Sequence, residues 1–138
     1  MPPRYVREEN VGFILRQVTQ RHLAIFTESM CDDLTPTQFS ALFKLYEQGP
    51  CSQNRLGRMT AMDNPTIKGV IDRLTRRGLT ASGPDPADGR LLIVSLTIEG
   101  RKVIERALPR AREITEATLS PLSAAQRAQF LSLLQMLR

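Results

Sequence analysis

DNPTIKGVIDRLTRRGLTASGPDPADGRLLIVSLTIEG, residues 63–100, holds a helix, its two caps and a hairpin in one uninterrupted run. Asp63 is placed as an N-cap, and Pro65 falls in the first turn, where a missing N–H costs little. Ile67, Val70, Ile71 and Leu74 follow at i, i+3, i+4 and i+7, one apolar stripe facing a core. Asn64, Thr66, Lys68, Gly69, Arg73, Arg76 and Arg77 occupy the other side. Gly78, with Leu79 behind it, predicts a left-handed C-cap. Beyond it Leu92, Val94 and Leu96 alternate with Leu91, Ile93 and Ser95, the period of a half-buried strand, and Leu79–Ser82 is its shorter partner. Between them lie Pro84 and Pro86, which are not expected to extend a ladder, and Asp88-Gly89, a pair suited to a turn.

The residues just before this run extend the pattern. Ser52 is placed to cap a helix over 53–60, with Leu56 and Met59 inward and Arg55 and Arg58 outward. Helix, turn, helix and wing then follow in order, a device for holding duplex DNA. Outward charge from 53 to 77 supports it: Arg55, Arg58, Lys68, Arg73, Arg76 and Arg77 stand against Asp63 and Asp72. In that arrangement Asn64, Thr66 and Lys68 are the candidates for base edges, and Pro65 offers an apolar surface to a thymine methyl. Arg73, Arg76 and Arg77 are expected at phosphates, and Ser52, Gln53 and Asn54 at the sugar–phosphate backbone. Arg90 is expected in a minor groove, whose negative potential attracts arginine, with Asp88 bracing its guanidinium.

The remainder of the chain reads as helices. Phe13, Ile14, Val18, Ile25 and Phe26 give residues 9–29 a broad apolar side. Thr35-Pro36-Thr37-Gln38 is a capping box with proline at its first helical position, opening a helix striped by Phe39, Leu42, Phe43 and Tyr46 and ended by Gly49-Pro50. Thr97 is placed to cap a long helix from Ile98 to about Thr118, and Pro109 within it predicts a kink or break. Ser123-Ala124-Ala125-Gln126 is a second capping box, leading into Phe130, Leu133, Leu134 and Leu137.

The run from Leu56 to Gly100 resembles the MarR family of winged-helix regulators. The Asp88-x-Arg90 of the wing and the Leu96-Thr97-x-x-Gly100 that enters the next helix are its more specific parts. The resemblance implies a mostly α fold with a small β-hairpin wing: a winged helix-turn-helix lobe over about 35–100, flanked by dimerisation helices over about 9–30 and 101–138, in one domain. It implies a homodimer on a pseudo-palindromic operator, usually repressing, often released by a small aromatic, phenolic or aromatic carboxylate ligand. In this family effectors lodge between the dimerisation helices and the lobe, where Phe13, Arg16, His22, Phe39 and Phe43 are the residues to nominate. Arg16, beside Ile14, Leu15 and Val18, would pair with a carboxylate or phenolate.

Bulk properties narrow the alternatives. The 138 residues suffice for a real core, and a net charge of +5 suits a polyanionic partner. One histidine, with no P-loop and no GxGxxG, argues against an enzyme and against any cofactor or metal. Glu8-Glu9 and Asp32-Asp33 read as terminus and turn residues. With 5% aromatic residues the chain lacks the stacking platforms of RNA binders. No apolar run predicts a membrane span or a signal peptide, so a cytoplasmic location is expected. Cys31 and Cys51 lack ligand spacing; a cysteine redox sensor is one alternative. A winged helix used only for protein contacts is another, and the outward basic face weighs against it.

Overall fold

The computed structural model describes every residue except 5, 7 and 8, so Glu8 lies outside the described residues. Among the described residues, six helices and three strands run in the order α1 (Val11–Ser29), α2 (Pro36–Gln48), β1 (Cys51–Ser52), α3 (Gln53–Met59), α4 (Asn64–Arg76), β2 (Thr80–Pro84), β3 (Leu92–Leu96), α5 (Ile98–Leu119) and α6 (Ala124–Gln135). They fall into two compact units, Met30–Arg110 and the two outer segments Met1–Ser29 with Ala111–Arg138. The helix-rich winged-helix architecture expected from the sequence is what forms.

In the central unit, hereafter the lobe, the apolar stripes meet. Leu42 and Leu45 of α2, Leu56 of α3, Ile67, Val70, Ile71 and Leu74 of α4, Val94 of β3 and Ile104 of α5 are all buried. Both ends of α4 close as its residues dictate. Asp63 accepts a hydrogen bond from the Thr66 amide at 2.8 Å. At the other end Gly78 sits at φ 75°, its amide donates to the Thr75 carbonyl and the Leu79 amide donates to the Leu74 carbonyl. That paired closure is a Schellman motif, and it turns Leu79 into the core.

The sheet is larger than a hairpin. β3 is central, with β2 on one edge and β1 on the other, all antiparallel. Pro84 closes β2 opposite Leu92, against the expectation that it would stay out of the ladder; β2 is an edge strand, and an edge tolerates a residue with no N–H to give. The alternation in β3 holds at Val94, which is buried, but Leu92 is 62% exposed towards the tip.

Entry into α5 is a close approach. The Thr97 hydroxyl donates to the Gly78 carbonyl and accepts from the Gly100 amide, while the Thr97 amide donates to the Leu79 carbonyl at 3.1 Å. Gly100 therefore lies directly against the Leu79 backbone. Pro109 does not break α5: the helix continues to Leu119. Ile104 and Ala107 before the proline and Ile114 after it are buried, and that packing outweighs one lost backbone hydrogen bond.

The outer unit comprises α1, α6 and the distal part of α5. α1 begins at Val11, two residues later than expected, because Asn10 accepts the Phe13 amide at 2.9 Å and caps it. The Arg21 guanidinium donates to the Ala117 and Thr118 carbonyls at the end of α5, and His22 Nδ1 lies 2.8 Å from Thr118 Oγ1. α6 is capped by Ser123 and Gln126 as its sequence predicts, yet it buries none of its residues. Leu131, Leu133 and Leu134 are exposed, and so are Ile14, Leu15 and Val18 on α1. No described helix is long and apolar enough to cross a membrane.

Candidate nucleic-acid interface

With its four apolar side chains buried, α4 presents Asn64, Pro65, Thr66, Lys68, Arg73 and Arg76 to solvent. Its cations differ in what they already hold. Lys68 Nζ is 3.0 Å from Asp72 Oδ2, an exposed i, i+4 pair worth little in water. Arg77 is committed elsewhere: its guanidinium donates to the Asp32 carbonyl and to Gln38 Oε1. It ties the end of α4 to the start of α2, a use the expectation of a phosphate contact did not foresee. Arg73 and Arg76 form no ion pair among the described residues.

The anchor for Arg77 is itself held. Asp32 and Asp33 form a turn at φ 57° and 51°, a region aspartate tolerates better than most residues. The Asp32 carboxylate takes two hydrogen bonds from Arg106 on α5, at 2.9 and 3.3 Å. That guanidinium, with the Cys31 thiol as a further donor, holds the Asp32 carboxyl below its ordinary range. A depressed carboxyl stabilises the fold above the unfolded value of about 4 and loses that contribution as pH falls through its own lower value. Asp32→Asn is therefore expected to lower the urea midpoint at pH 7, by a gap that narrows as the pH falls below about 4; a gap that does not narrow would remove this pair from the stability of the lobe.

The β1–β3 pairing sets Ser52 opposite Ile93 and so brings the start of α3 beside the wing. Ser52, Gln53, Asn54, Arg90, Leu91 and Leu92 line one open cleft of about 260 Å³. Ser52 Oγ is occupied as the α3 cap, accepting from the Arg55 amide at 3.2 Å. At the tip Arg90 Nε and Nη2 meet the two Asp88 oxygens at 3.1 and 3.3 Å, while the Arg90 side chain remains 92% exposed. The guanidinium beside it lowers the Asp88 carboxyl. The arginine is thus aimed outward by its neighbour and otherwise unencumbered.

The residues nominated for a ligand divide between the two units, Phe13, Arg16 and His22 in one and Phe39 and Phe43 in the other. On α1 the Arg16 guanidinium lies 5.8 Å from the Phe13 ring centre. His22, half-buried, lines an apolar cavity of about 350 Å³ inside the outer unit with Leu15, Val18, Leu119, Phe130 and Leu134. Phe39 and Phe43 belong to the lobe, where their rings stack at 6.1 Å and 8° against its core. Burial pushes both thiols up, Cys51 most simply, and Cys31 with Asp32 adding to it. A raised thiol is a poor nucleophile, which weighs against the redox alternative.

Residues 34–92, which hold this helix-turn-helix and the wing as far as the start of β3, match the MarR family model. The chain is 43% identical over 128 residues to the HTH-type transcriptional repressor NicR of Pseudomonas putida, covering 92% of this chain and 81% of that one. It belongs to the MarR family. A probable transcriptional regulator from Pseudomonas aeruginosa superposes with a TM-score of 0.93 at 50% identity, over 95% of this chain and 98% of that one. Bordetella bronchiseptica BpsR, whose DNA binding is regulated by 6-hydroxynicotinic acid, superposes at 0.92 and 40% identity, over 98% and 97%. As a MarR-family transcriptional regulator the chain carries the family's winged helix-turn-helix in α3, α4 and the β2–β3 hairpin.

Proposed function

We propose that this MarR-family regulator is a homodimeric repressor that binds a pseudo-palindromic operator and releases it on binding a small aromatic acid. The observation that carries the DNA part is the basic outward face of α4 set beside the exposed Arg90 of the wing. Two α4 helices enter successive major grooves about 34 Å apart. Asn64, Thr66 and Lys68 reach base edges, with Pro65 against a thymine methyl; Lys68 exchanges Asp72 for a base at little cost, the pair being exposed. Arg76 meets phosphate, and so do Gln53 and Asn54 from the cleft that they share with Arg90. Arg77 holds α4 in place and does not contact DNA.

The dimer is supported by α6, which is apolar yet buries nothing, and by the exposed Ile14, Leu15 and Val18 of α1. A second copy that lays the same helices over these faces forms an isologous interface. The protein is expected to sediment at twice its chain mass of 15.5 kDa, and Leu131→Glu at that mass alone. A wild-type monomer at micromolar concentration would remove the two-fold model.

The effector reading rests on the 40% identity to BpsR and on Arg16 as an exposed cation next to an aromatic ring. Arg16 pairs with the carboxylate, and Phe13 and His22 are the further contacts on α1. The test is a fluorescence-anisotropy titration of the chain's own upstream DNA at two salt concentrations, with and without 6-hydroxynicotinic acid. Tight binding with a steep salt slope, weakened by the acid in wild type but not in Arg16→Ala, is expected. Specific binding that the acid leaves unchanged would overturn the effector assignment alone; no specific binding at low salt would overturn the DNA reading.

A further inference from the structure

Three glycines sit inside or at the start of helices in the lobe, and only two have an internal reason to be there. A Cβ on Gly57 would lie 3.1 Å from the Met62 carbonyl oxygen and 3.2 Å from Ile67, and one on Gly100 would lie 1.9 Å from the Leu79 carbonyl oxygen. Gly69 is different. The three nearest side-chain atoms to a Cβ there all belong to the Arg73 guanidinium, with Nη1 at 3.5 Å, Nη2 at 3.8 Å and Cζ at 3.9 Å, all ordinary contacts. Yet glycine is the worst residue but proline for a helix interior. At about 3.6 residues per turn, Pro65, Gly69 and Arg76 run down the middle of the face opposite Ile67, Val70, Ile71 and Leu74. No contact among the described residues requires that centre to be bare.

The three near-equal distances mean that the Arg73 guanidinium lies across the bare backbone one turn back along α4. Long helical side chains lean towards the N-terminus in this way. Its fork is therefore carried to the half of α4 that holds Thr66 and Lys68, away from the end where Arg76 lies. Lys68 is paired with Asp72 and Arg77 with Asp32 and Gln38, whereas Arg73 has no ion-pair partner among the described residues. We propose that Gly69 and Arg73 act as one base-reading unit: the glycine lets α4 approach the base pairs closely, and Arg73, seated over it, gives two parallel N–H donors to O6 and N7 of a guanine. This rests on α4 being the helix in the major groove, and it moves Arg73 from the phosphate set to the specificity set.

The test is selection from a randomised operator pool, followed by titration of selected and scrambled duplexes with wild type, Arg73→Ala, Arg73→Lys and Gly69→Ala. Arg73→Ala is expected to lose roughly 10–100-fold on the selected site and to lose one G per half-site from the preference, with much less change on scrambled DNA. Arg73→Lys keeps the charge and still loses the preference, since an ammonium is a point donor. Gly69→Ala should melt about 3 °C higher than wild type and bind the selected site at least about tenfold more weakly. A uniform loss on all duplexes from Arg73→Ala, or an unchanged affinity for Gly69→Ala, would overturn the unit while leaving the DNA reading intact. A wild type that selects no sequence would overturn both.

Discussion

Gly100→Ala is expected to destabilise the lobe by on the order of 3 kcal/mol or more and to lower its melting temperature by roughly 10 °C. The added methyl would stand 1.9 Å from the Leu79 carbonyl oxygen and 2.9 Å from its carbon, both main-chain atoms that no rotamer change can move. Neither side can yield. Leu79 is fixed by its amide on the Leu74 carbonyl, by its own carbonyl on the Thr97 amide and by a side chain in the core. The first turns of α5 are fixed by Val103, Ile104 and Ala107, all buried. Gly83→Ala and Gly89→Ala, where an added Cβ meets nothing within 4 Å, are the controls and should change stability by less than about 0.5 kcal/mol. A urea midpoint for Gly100→Ala within experimental error of wild type would mean that α5 enters the lobe along some other path.

Arg90→Ala carries an effect on DNA as large as any expected here. Its side chain is 92% exposed and, among the described residues, hydrogen-bonds to Asp88 alone, so the fold has little to lose. On the function proposed above, what goes is a guanidinium for a narrow minor groove, and affinity for operator duplex should fall about 10–100-fold, with unchanged thermal melting. Asp88→Asn tests the brace separately. It keeps Arg90 but weakens the two-point hold, so a smaller loss of several-fold is expected from the orientation no longer prepared in advance. Equal affinities for wild type and Arg90→Ala in an anisotropy titration would take the wing out of the binding mechanism.

Much of this architecture is written locally, and where it is, the sequence can be read. The limits of α4 follow from Asp63, Pro65 and Gly78, each acting within a few residues of itself, and its core face follows from four apolar positions. The same holds for the Thr35 and Ser123 capping boxes. The elements that escape are those defined by distant partners. β1 is two residues long, too short to show any period, and exists because β3 lies alongside. Arg106 and Asp32 are 74 residues apart, and Arg77 and Asp32 are 45 apart. Arg77 therefore looks identical in sequence to Arg73 and Arg76, and only the fold separates an arginine that clamps a turn from two that face outward. Pro109 fails as a signal of a break for the opposite reason: its local cost is real, and burial on both sides of it holds the helix continuous.

The bond from the Thr97 amide to the Leu79 carbonyl, backed by the Thr97 hydroxyl on Gly78, closes the ribbon at its base and leaves the tip to itself. Everything beyond that knot can change length without disturbing the knot. Loop-closure entropy rises so slowly that doubling the tip costs roughly 0.6 kcal/mol, less than one poorly packed methyl in the core. The wing is thus an exchangeable part on a fixed mount: its reach and its charged end can be rewritten while the fold beneath it stays the same.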